Sequence, residues 1–125
     1  MLALFGRLGR ARDLRHLDDE LRSAGQHPAL VPDAVMMTVI RLLKTAHGEA
    51  APHVADAAAL VAYCMLGPEP YAEANGTDRT QAVERRLHEA VGQESSLDAE
   101  IIMLTIHANI IRPDVVEDFG LDVDG

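Results

Sequence analysis

A chain of 125 residues with 48% hydrophobic side chains fits one domain that buries roughly two thirds of its unfolded surface, and its one cysteine excludes both an internal disulfide and a Cys-rich zinc module. A formal net charge of −9 lacks the basic footprint that phosphate backbones demand, and no apolar run nears the roughly 20 residues of a bilayer span. With 3% aromatics and no tryptophan, the core must be built from Leu, Val, Ile, Met and Ala, a palette that favours helices over sheets.

Residues 1–10, MLALFGRLGR, read as a basic and apolar N-terminal arm. The arginines follow a short apolar patch, the reverse of a signal peptide. Gly6 and Gly9 weaken a helix there. Leu4, Phe5 and Leu8 are expected to dock on the body; the other use of such a stretch is to lie on a membrane surface.

The first helix is expected at about 11–24, with Leu14, Leu17, Leu21 and Ala24 on one stripe and Gly25 where a C-terminal cap belongs. The second opens at Pro32, a good first-turn residue, and stops at Gly48. It is apolar over a wide arc that includes Val35, Met36, Val39, Ile40, Leu42 and Leu43. The third runs from Pro52 to the stop signals Gly67-Pro68, and its alanines should let neighbours approach closely. GPEPYAEANG reads as a loop. The fourth helix starts at Thr77 as N-cap and closes at Gly92. The fifth follows the Ser95-Ser96 cap, continues to Ile111 and is broken by Pro113. PDVVEDFG is expected to add one short turn of helix within an acidic tail, 113–125.

These segments predict an all-α, single-domain bundle of about five helices over residues 11–112, the second, third and fifth being central. The fifth helix carries two opposed apolar faces, one through Ile101, Leu104 and Ala108 and one through Ala99, Ile102, Met103, Ile106 and Ile110. A helix apolar nearly all round is covered by other helices or by another subunit, so a homodimer is expected.

Two groups of residues are candidates for chemistry. His47, Glu49, His53 and Asp56 flank the short turn between the second and third helices, and histidine with carboxylate ligands suits zinc or iron. No H-E-x-x-H or P-C-x-x-C accompanies them, so a capped turn between helices is the simpler reading. Ala46-His47-Gly48-Glu49, set between an apolar helix and a helix with a polar start, resembles the helical hairpin of TerB-like tellurite-resistance proteins. The acidic Asp-Gly motif of that family is His47-Gly48 here, so the resemblance brings no ligand with it and is not taken as membership. On the fifth helix, Asp98, Thr105 and Asn109 form one polar line and Glu100 with His107 another. Any small-ligand pocket is expected beside Glu100, His107 and Asn109.

Cys64 lies in mid-helix among apolar neighbours and reads as a small buried hydrophobe. No residue is assigned a catalytic role and no cofactor is called for, since phosphate loops, nucleophile elbows and dinucleotide fingerprints are lacking. The expectation is a cytoplasmic, non-enzymatic interaction or regulatory module with a protein partner, basic in character, and no nucleic acid. The alternative is a metal- or small-ligand-binding protein that uses one of the two residue groups.

Overall fold

The computed structural model describes the backbone of residues 2–93 and 95–121, and the side chains of 11–93 and 95–121. Within them lie seven α-helices: α1 (Leu2–Ser23), α2 (Asp33–His47), α3 (Val54–Leu66), α4 (Pro68–Asn75), α5 (Thr77–Val91), α6 (Leu97–His107) and α7 (Pro113–Phe119). Two 3-10 turns, Pro28–Leu30 and Ala51–His53, precede α2 and α3. The described residues contain no strand, so the all-α class holds with more helices than the pattern predicted. None of these helices is long and apolar enough to cross a membrane.

The unforeseen helix is α4, in the stretch expected to be a loop. Its prolines, Pro68 and Pro70, occupy the first turn, where backbone N–H groups have no helical partner and their loss costs nothing. Tyr71 drives this turn into the core, being 2% exposed. Asn75 then ties the end of α4 to α1, its Nδ2 donating to the carbonyls of Ala24 at 2.8 Å and Tyr71 at 3.0 Å.

Other boundaries differ for local reasons. α1 begins at Leu2 rather than near residue 11. The docking expected of Leu4, Phe5 and Leu8 lies outside the described side chains, as do residues 122–125 of the acidic tail. Thr77 is the first residue of α5 rather than its cap, and Gly76 holds the cap position. The Ser96 cap of α6 is as expected: its Oγ accepts from the Ala99 N–H at 3.0 Å. α6 stops at His107, four residues before Ile111, because Asn109 turns left-handed with φ of +59°. The Ile110 N–H then reaches the Thr105 carbonyl at 3.0 Å and the Asn109 N–H that of Ile106 at 3.0 Å, the paired bonds of a Schellman closure.

α3 is the hub. Every residue from Leu60 to Cys64 is buried, with Ala57 and Ala58 beneath them, and α1, α4, α5 and α6 all pack on it. Small side chains at Ala57, Ala58 and Ala62 give those neighbours their close approach, whereas Ala55 is exposed. α2 packs on both α1 and α6. It buries Val35, Met36, Val39, Ile40 and Leu43, which accounts for its wide apolar arc.

Polar ties fix the outer helices. Arg86 on α5 makes a two-pronged pair with Asp98 on α6, at 3.0 and 2.9 Å, and its Nη1 donates to the Asp56 carbonyl on α3 at 3.0 Å. Burial works against the charged guanidinium, but the Asp98 hydrogen bonds and charge outweigh it and raise its pKa. One side chain thus joins three helices by charge-assisted hydrogen bonds.

Candidate functional site

The turn between α2 and α3 brings two of its four candidate residues together. His47 ends α2, and His53 closes the 3-10 turn that leads into α3. Their rings stack with centroids 3.6 Å apart and planes 16° from parallel. Stacked imidazoles point their in-plane lone pairs side by side, so the pair does not converge on one ion. Glu49 and Asp56 are exposed, and Asp56 uses its carbonyl to hold Arg86. Among the described residues no three His, Cys, Asp or Glu side chains gather as metal ligands. The turn is built by Gly48 in a left-handed cap and by ring stacking.

Cys64 is fully buried. Burial, only partly offset by the Thr105 side chain, pushes its thiol up to about 12 from 9.0. At any pH below the ordinary thiol range its thiolate fraction is then lower by about a thousandfold, since each pKa unit is a factor of ten. The thiolate is the reactive form. Native protein at about pH 8 should therefore resist iodoacetamide, with labelling at least roughly a hundredfold slower than in denaturant. Rapid labelling of the folded chain would mean that the α3 core opens readily.

The other candidate group fares better. An open groove of about 690 Å³ runs along α6. Thr38 and Leu42 of α2, the end of α5 at Ala90 and Val91, and Gly120-Leu121 beyond α7 border it. Its apolar wall on α6 is formed by Ala99, Ile102, Met103 and Ile106 of the helix's second apolar face, joined by Leu104 of the first. The first face is turned to the core through Ile101, which is 1% exposed. Two large apolar side chains on the groove remain open to solvent, Val91 at 49% and Met103 at 42%.

Glu100 and His107 both line this groove, set seven residues apart and so on one side of α6. Asn109 is absent from the lining. Its role is conformational, since asparagine tolerates the left-handed backbone that ends α6. The polar line through Asp98 and Thr105 is accounted for elsewhere: Asp98 pairs with Arg86, and the buried Thr105 hydroxyl donates to the Ile102 carbonyl at 2.7 Å. Ile110 also departs from its expected place, being half-buried against the core in the turn after α6.

Sequence reasoning missed the contributions of Leu42, Val91 and Leu121 to the groove. Val91 had a signal: it sits at the very end of an amphipathic helix, where its apolar stripe outruns the core. Leu121 follows a glycine in an acidic stretch and carried none. Against known proteins, the chain matches no family model, no curated protein and no solved structure.

Proposed function

We propose that this protein is a non-enzymatic interaction module that binds an apolar, basic segment of a partner protein in the groove along α6. The observation that carries this reading is the pairing of Val91 and Met103, both well exposed, on one groove. Exposed apolar groups gathered at one concavity mark a binding site more often than scattered ones do. Charge supports the preference for a basic partner. Glu100 stands in the groove, and half of the chain's acidic residues fall from Glu84 onward. Such a field speeds encounter with cations and disfavours polyanions. A cytoplasmic setting belongs to the proposal, since a lone buried cysteine requires no oxidising compartment.

A second reading rests on size. At about 690 Å³ the groove falls within the range of roughly 300–1,000 Å³ typical of small-molecule sites, with Glu100 and His107 as its polar groups.

A Leu/Lys amphipathic peptide and its Leu/Glu counterpart separate these readings. The Leu/Lys peptide should bind, more weakly as salt rises, and the Leu/Glu peptide should not. Met103→Asp should weaken binding at least tenfold, about 1.4 kcal/mol, with an unchanged helical spectrum. Equal binding of both peptides, or indifference to Met103→Asp, would overturn the module reading. A fatty acid that binds where neither peptide does would favour the second.

A further inference from the structure

We infer that the groove along α6 is occupied by the N-terminal segment of a second copy of this chain, residues 1–12, so that two copies pair by exchanging arms. This rests on the groove being a protein-binding site and names its occupant.

The segment MLALFGRLGRAR has the chemistry the groove asks for. It holds three of the chain's eleven Lys and Arg residues and none of its twenty Asp and Glu residues. Around its arginines it carries Leu2, Leu4, Phe5 and Leu8. The groove is apolar along Ile102, Met103 and Ile106 and acidic at Glu100. Arg86 and Arg112, on either side of α6 in sequence, are already held by Asp98 and Asp114 and so are engaged away from Glu100. The complementarity runs between the two ends of one sequence.

Backbone geometry makes the contact intermolecular. α1 is continuous from Leu2 to Ser23. A short connection leads into α2, and Asp13 lies 3.2 Å from Lys44 Nζ. The two helices therefore run antiparallel, with residue 13 level with residue 44. Counted from that pair, residue 9 is level with Gly48, where α2 ends. The residues before it overhang the end of α2 by roughly 10 Å at 1.5 Å per residue. Thr38 and Leu42, which border the groove, are level with residues 15–19. The arm thus points away from its own groove and could enter it only by breaking α1, whereas a second copy can present its arm unbroken. Arm and groove together form a self-complementary surface, so a two-fold axis closes the pair and fills both grooves at once.

The test uses full-length chains with one defect each, followed by light scattering after size exclusion at micromolar concentration. Wild type should be dimeric. Phe5→Asp spoils the arm and Met103→Asp the groove, so each alone should be monomeric. Mixed in equal amounts they should form dimers again, because the sound arm of one fits the sound groove of the other. Should Phe5→Asp disturb folding by circular dichroism, Arg7→Glu with Arg10→Glu serves as the arm variant. A monomeric wild type overturns the inference. So does a dimeric arm variant beside a monomeric groove variant, which would leave the groove as an interface with a different occupant. Two monomeric variants that stay apart on mixing overturn arm exchange as well. The peptide experiment, repeated on the arm variant, whose groove is free, judges the groove itself, so loss of arm exchange and loss of the binding site are told apart.

Discussion

Alanine at Gly25 should destabilise the protein by about 2–4 kcal/mol, from backbone strain and overpacking together. Gly25 follows α1 with φ of +94°, a region that side chains with a Cβ rarely adopt. It is the left-handed residue of a Schellman closure, in which the Gln26 N–H donates to the Leu21 carbonyl at 2.9 Å and the Gly25 N–H to that of Arg22 at 3.0 Å. A Cβ there would also fall 2.6 Å from the Cβ of Ala74 on α4. Neither atom is the end of a flexible chain, so helices must move. Gly48 supplies the control, because it has φ of +86° but nothing within 4 Å of where a Cβ would stand. Gly48→Ala should therefore show the strain alone, about 1–2 kcal/mol. Urea denaturation of both variants gives the difference, and equal losses would show that α1 and α4 are not in such close contact.

That pair of glycines also shows what the residue pattern conveys. Both are legible as helix stops, because a glycine after an amphipathic stripe has few other uses. What cannot be read is α4 packed over Gly25. Pro68 and Pro70 look like breakers when counted without position, and only their place in the first turn makes them harmless. The tie from Asn75 back to Ala24 spans 51 residues, and no local pattern announces it.

The candidate groove is half legible. Two opposed apolar faces on one helix tell that α6 has something to cover on both sides. Glu100 and His107 follow from periodicity, since they share one side of the helix. Asn109 is assigned by the same periodicity and fails, because periodicity holds only while the helix lasts and Asn109 is the residue that ends it. His47 and His53 are correctly brought near each other by a short turn. Proximity does not fix orientation, and stacked rings present faces where ligation needs edges. Homodimer and partner expectations come from apolar surplus, and the groove gives that surplus a location from which they can be tested.

Replacing Tyr63 by alanine should cost about 3–5 kcal/mol, as for other buried aromatics. Tyr63 is 1% exposed, and its ring meets two others edge to face, Tyr71 at 5.5 Å and Phe119 at 6.0 Å between centroids. Loss of the ring therefore removes the surface on which α4 and the end of α7 rest. Its hydroxyl donates to Glu84 Oε2 on α5 at 2.7 Å. Tyr63→Phe keeps the packing and loses only that bond, for about 1–2 kcal/mol, since the half-exposed Glu84 can turn to water. The two variants also differ in pH dependence. Burial, then the hydrogen bond and charge of Glu84, raise the Tyr63 pKa well above its ordinary value of 10.0. The native hydroxyl consequently keeps its proton where the unfolded chain has released it. The unfolded state binds fewer protons there, so stability must fall as pH rises above about 10. Below that pH the group is protonated in both states and contributes no slope. Urea midpoints measured from about pH 8 to 11 should decline in wild type and decline less steeply in Tyr63→Phe. Cys64 and Tyr71, whose pKa values burial also raises, supply the slope that remains. An unchanged slope in Tyr63→Phe would mean that the hydroxyl reaches water and that the Glu84 contact does not persist.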